Sequence, residues 1–141
     1  MTRPPHHDPR LIAIVALGGM VGTTARWALT SAVGTSARGF PTATLIENVV
    51  GSFLLGALLE GLLRRGAESP RGRVLRLGLG TGVLGGFTTF SSLAIELQRL
   101  LAGGQVTLAV VYAVLSLVLG ILACVAGIAL GSRSRSRPDT V

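Results

Sequence analysis

Four stretches of this chain, at about residues 11–33, 43–63, 74–101 and 106–131, are apolar. Each has at least the roughly 20 residues that a helix needs to cross a bilayer. A soluble helical bundle would show a polar face on every helix. LAVVYAVLSLVLGILACVAGIAL (108–130) carries no charge at all. Charged residues make up 13% of the chain, against roughly 25% in an average soluble domain. The pattern predicts an all-α membrane protein: a four-helix transmembrane domain over 11–131, a polar tail over 1–10 and a basic tail over 132–141. Arg3 and Arg10 ahead of the first apolar run have the form of a signal peptide. The further spans and the late Arg26 favour a retained anchor instead.

The net charge is +7, and all thirteen basic residues are arginine. In a soluble protein this would point to nucleic acid. Here the arginines lie mostly in tails and connections, where they set orientation in a bilayer, so the expected partner is lipid and not nucleic acid. An even number of spans puts both termini on the same side as the 64–76 connection. That side carries Arg3, Arg10, Arg64, Arg65, Arg71, Arg73, Arg76, Arg133, Arg135 and Arg137, and the other only Arg38 and Arg99, with Arg26 set aside as intramembrane. The asymmetry predicts a multi-pass protein of the plasma membrane with both termini in the cytoplasm. His6 and His7, adjacent in the polar tail, are expected to be solvated rather than to hold a metal. Cys124 stands alone among small residues, which excludes a disulfide framework.

Gly18, Gly22 and Arg26 share one face of the first span, and Ser52 and Gly56 one face of the second. Small residues four apart let helix backbones approach closely in lipid. Polar groups inside a span face protein or water. Asn48 lies about one turn inside the second span, and its amide offers two donors suited to an anion. Ser52 follows one turn later. In the fourth span Tyr112, Ser116 and Gly120 form one stripe. The connection AGGQ (102–105) is so short that spans three and four are expected to be antiparallel neighbours.

The third span contains GTGVLGGFTTFSSL (80–93), with four glycines and five hydroxyl side chains. Glycine weakens a helix and hydroxyls gain little from hydrocarbon. Irregular backbone at membrane depth persists only where protein or water satisfies it. A break around GGFTTF would free the carbonyls of Gly85 and Thr88 to coordinate a cation. It would also turn Phe90 inward, where the positive edge of its ring can meet an anion.

The segments GGMVGTTARW (18–27), TLIENVVGSFLLG (44–56) and TGVLGGFTTFSS (81–92) resemble, in order and spacing, the three signature segments of the CrcB family, the Fluc fluoride channels. Tyr112 and Ser116 fall where that family has polar pore residues. The resemblance implies a passive channel exporting fluoride, built as a dimer of two antiparallel subunits that encloses two pores. It makes Asn48 the pore amide and Phe90 the first aromatic of the anion path, with Ser52, Tyr112 and Ser116 along it. It makes Gly85 and Thr88 the backbone ligands of a structural sodium ion. Arg26 and Glu96 match further polar positions. The chain departs from the family pattern at Leu93, which replaces a second aromatic, and at Gly120, where a serine is expected. Leucine has no polarised ring edge, so a pore that uses Leu93 is expected to conduct poorly.

No paired carboxylates, nucleophile–base pair or metal cluster is legible, so no enzyme is expected. One alternative is a small dual-topology exporter of cationic drugs, which needs an intramembrane carboxylate; Glu47 is the residue for it. Another is a non-conducting partner subunit of a two-gene channel, in which Leu93 marks a decayed pore. The expected antiparallel partner is either a second copy of this chain or a related chain of opposite orientation, for which the arginine bias would call.

Overall fold

The computed structural model describes residues 8–33, 39–65 and 69–133. Arg3, His6, His7, Arg38, Arg135 and Arg137 lie outside the described residues. The described residues are helical, and four helical spans are long and apolar enough to cross a membrane. The first span is α1 (Pro9–Val33) and the second is α2 (Thr42–Leu63). The third opens with α3 (Pro70–Leu75), continues as a π-helical stretch (Arg76–Leu84) and a short turn α4 (Gly85–Phe87), and resumes as α5 (Phe90–Ala102). The fourth is α6 (Val106–Arg133). Pro9, Arg10, Ser132 and Arg133, read from sequence as tail residues, extend the first and last helices.

Local chemistry marks the joints. Ser69 caps α3, its Oγ accepting the Gly72 N–H at 3.0 Å, and Pro70 follows where no N–H is needed. At the end of α5, the Gln105 N–H donates to the Leu100 carbonyl at 2.8 Å and the Gly104 N–H to Leu101 at 3.0 Å. This paired closure needs a left-handed residue, and Gly104 supplies it with φ of 72°. The third span therefore turns into the fourth within three residues, as the short connection predicted.

Helix packing adds what the connections alone do not give. Spans three and four are neighbours, as expected, chiefly through α5 and α6, while the π-helical stretch packs on α1 and α6 packs along α2. Glycines make both long contacts possible. A Cβ on Gly18 would stand 2.5 Å from the Gly78 carbonyl oxygen, and one on Gly86 2.6 Å from that of Gly19. Across the other pair, a Cβ on Gly131 would meet the Ala57 oxygen at 2.8 Å, and Gly56 lies equally tight against Cys124. Backbones this close gain dispersion contact along their whole length, the main source of helix association in lipid.

Gly22 has the Val83 carbonyl where a side chain would go. The variant Gly22→Val is expected to lose about 3 kcal/mol or more, at the upper end of overpacking costs. Gly61→Ala, facing open space, serves as the neutral control. Thermal unfolding of the purified variants in detergent measures the difference; equal stability of the two would contradict this packing.

Candidate functional site

The break in the third span falls at Thr88 and Thr89, whose backbones are extended (φ −79°, ψ 155° and φ −150°, ψ 123°). Extended backbone within a helical span leaves a donor and an acceptor to be satisfied. Asn48 of α2 satisfies both. Its Nδ2 donates to the Thr89 carbonyl at 3.0 Å, and the Thr89 N–H donates to its Oδ1 at 2.8 Å. Gly51, one turn along α2, leaves the space that the Thr88 methyl group fills. Thr89 itself is buried and caps α5, its Oγ1 accepting the Ser92 N–H at 3.1 Å.

These diversions determine which carbonyls are left over. In an unbroken helix the Thr89 N–H would close on Gly85 and the Ser92 N–H on Thr88. One now goes to the Asn48 amide and the other to the Thr89 hydroxyl. The carbonyls of Gly85 and Thr88 thus lose their helical donors. On the other side of the break, the N–H groups of Phe90 and Ser91 stand in the first turn of α5 without intrahelical acceptors. The break therefore presents carbonyl oxygens at one lip and amide hydrogens at the other.

A groove of about 310 Å³ opens at this break, lined by Asn48, Ser52, Gly85, Thr88, Thr89 and Phe90 together with Gly51, Leu55, Gly80 and Leu84. Phe90 does not turn inward. Its ring is 81% exposed and flanks the groove on the outside of the chain, because the first residue of α5 points away from the α2 seat that holds Thr89. The Asn48 amide is also less free than expected, since one of its two N–H groups is engaged with Thr89.

A second polar group lies deeper. Glu96 accepts from Thr44 Oγ1 at one carboxylate oxygen and from Tyr112 Oη at the other, both at 2.7 Å. Tyr112 is fully buried, with Phe40 edge-on at 5.5 Å between ring centroids. Leu93, Leu97 and Leu108 pack against the small cluster that this tyrosine forms with Leu100 and Ala109. Ser116, one turn further on, has a buried hydroxyl oxygen without a hydrogen-bond partner. Ser52 lies opposite Gly120, 3.8 Å from where a Cβ would stand, so the polar stripes of α2 and α6 face one another. A pocket lined by Thr44, Glu96, Arg99 and Gln105 opens beside the carboxylate at the loop end of α5.

Most of the residues singled out in sequence thus gather into these two groups. Arg26 lies on α1, half-buried and outside both. Thr44, Gly51 and Thr89 were not singled out. Thr44 is detectable, because 44, 48 and 52 are spaced by four and extend the α2 stripe by one turn. Glu47 is 1% exposed and accepts from Thr30 Oγ1 at 2.6 Å. It is sealed between α1 and α2, unlike a carboxylate that exchanges protons for cations.

Residues 13–128 match the family described as "CrcB-like protein, Camphor Resistance (CrcB)". The chain belongs to this family. It is 43% identical over 129 residues to fluoride-specific ion channel FluC 2 of Leifsonia xyli subsp. xyli, covering 92% of this chain and 88% of that one. It is 50% identical to the fluoride-specific ion channel FluC of Deinococcus radiodurans (84% and 93% covered). It is 48% identical to that of Thermus thermophilus (84% and 91% covered).

The Asn48–Thr89 pair can be tested apart from any activity. In Asn48→Asp the acceptor for the Thr89 N–H remains, while the Thr89 carbonyl loses its donor; the unmet group costs about 1–3 kcal/mol. Hydrogen exchange at the Thr89 amide should stay slow in Asn48→Asp and become fast in Asn48→Leu. Fast exchange in the unmodified protein would refute the pairing.

Proposed function

We propose that this chain is one subunit of a fluoride channel that lets the anion leave the cytoplasm passively. The observation that carries the reading is the groove at the break, in a chain whose relatives are named fluoride-specific ion channels. The donors in its lining are all neutral: the second N–H of Asn48, the Ser52 hydroxyl and the first turn of α5. The edge of Phe90 borders it. Fluoride is a small, strongly hydrated anion, and a row of such donors replaces its water one contact at a time. From the groove the path continues along Ser116 and Tyr112 toward Glu96. A negative interior drives the anion outward by roughly 2.3 kcal/mol per 100 mV, so no coupled pump is needed.

The groove lies open on the surface of a single chain, and polar lining of this kind is costly against lipid. A second subunit is the cover that a small four-span protein has available. In an antiparallel dimer the two breaks come to one axis, where each chain contributes the freed carbonyls of Gly85 and Thr88. Four carbonyl oxygens without donors suit a sodium ion, whose charge would hold the two breaks together. With ten arginines at one end and two at the other, the chain inserts one way, and the antiparallel partner is then a related chain of opposite bias. In that arrangement both termini are cytoplasmic, and Leu93 belongs to a pore that conducts less than the one bordered by Phe90.

Proteoliposomes made with this chain, alone and with such a paralogue, test the assignment. Fluoride efflux, read with a selective electrode, is expected to be robust only with the partner and to fall at least tenfold in Asn48→Asp. Efflux absent in every combination would overturn the channel reading, and robust efflux from the chain alone would overturn the two-gene form. The sodium site has its own readout: the assembled protein is expected to unfold several degrees lower when sodium is replaced by N-methylglucamine, and no shift would count against it.

A further inference from the structure

We propose that the cytoplasmic end of the chain carries a binding site for an anionic phospholipid, in the groove between α2, the start of the third span and α6. This groove, of about 530 Å³, lies along the same seam as the break but nearer the arginine-rich end. Its walls include Leu58, Leu75, Leu79 and Leu130, and Arg65 and Arg133 line it where α2 and α6 end. Along α2 it extends from Leu58 to Arg65, a length of about 10 Å at the helical rise. That is the profile of a lipid site: a slot for the first part of an acyl chain, with cationic groups at headgroup level. Gly61 faces open space, which leaves room along the slot.

Charge decides the occupant. Glu60, the acidic residue nearest this end of α2, is paired with Arg64. Among the described residues no carboxylate engages Arg65 or Arg133. A second copy of this chain does not supply one. In the antiparallel arrangement it brings up Glu47, which is enclosed, and Glu96, whose two oxygens are both hydrogen-bonded within its own chain. In the parallel arrangement it brings up its own arginine-rich end, where the described carboxylates, Asp8 and Glu60, are already engaged by the Arg10 N–H and by Arg64. A phospholipid with a net negative headgroup, such as phosphatidylglycerol, supplies both the phosphate and the acyl chain. The site is independent of which ion the protein conducts.

The chain has a single tryptophan, Trp27 on α1, so a reporter can be placed cleanly. In a Trp27→Phe background, Leu79→Trp sets a fluorophore at a groove wall that is 44% exposed. The full-length protein, reconstituted with brominated phosphatidylglycerol or brominated phosphatidylcholine, reports which lipid lies against it. The expected result is tighter association of phosphatidylglycerol, by roughly fivefold for each arginine near the surface. The preference should disappear in Arg65→Gln/Arg133→Gln and persist in Arg65→Lys/Arg133→Lys. Native mass spectrometry of the otherwise unmodified chain gives a second reading, as phosphatidylglycerol adducts that the glutamine variant loses. A preference below threefold overturns the proposal, as does one that survives the glutamine substitutions. Absence of quenching by both lipids also overturns it, since the groove is then filled by protein, a second copy included.

Discussion

Backbone at membrane depth has nowhere to turn for hydrogen bonds except the protein itself, and one side chain answers that requirement here. Asn48 presents an acceptor and a donor in the same plane and spacing as a peptide group, so it pairs with Thr89 as a neighbouring strand would. Without it the break would expose a donor and an acceptor, each costing several kcal/mol in hydrocarbon. Other features of the break follow from that seat. Gly51 must lack a side chain because Thr88 lies where one would be, and Thr89 must be a residue that can cap α5. The carbonyls of Gly85 and Thr88 and the first N–H groups of α5 are the remainder once these bonds are made.

The glycine contacts decide where that remainder is displayed. They weld α1 to the π-helical stretch and α6 to α2, giving two tight pairs. The pairs meet along α2 and the third span, a looser seam, and both the break groove and the arginine-lined groove lie on it. A π-helical turn suits this position. It keeps N–H and C=O groups paired inside the span, while its wider turn shifts the register of the side chains that follow. The same economy of side chains that brings backbones together thus leaves the polar features on one line.

Much of this is legible in the residues. Four spans and their ends follow from apolar length, and the break follows from glycines and hydroxyls that would be misplaced in a continuous span. Gly18, Gly22 and Gly56 are found by spacing alone. What sequence does not carry is direction. That Phe90 points outward depends on how Thr89 is held across 41 residues of separation, and no local pattern encodes it. The partition of the third span between α1 and α6 is likewise a property of packing. Thr44 was within reach of the four-residue spacing, whereas Gly51 needed knowledge of what lies opposite.

Along the path proposed for the anion, the chemistry of the groups suits movement rather than retention. The break groove contains no cationic side chain; a buried guanidinium there would bind a small anion too tightly to release it. Neutral donors hold it less firmly, and conduction requires a site favourable enough to enter and weak enough to leave. The carboxylate of Glu96 is the obvious obstacle, a negative charge beside an anion path. Thr44 and Tyr112 each direct a hydroxyl proton at it, one to each oxygen, and the short charge-assisted bonds spread its charge over both partners. The unpartnered Ser116 hydroxyl lies one turn from that network. A hydroxyl can turn its hydrogen toward whatever passes, so an anion arriving there meets a donor before it meets the carboxylate. On the proposed path the groups run from a fixed amide to a hydroxyl free to turn and then to a carboxylate with both oxygens hydrogen-bonded.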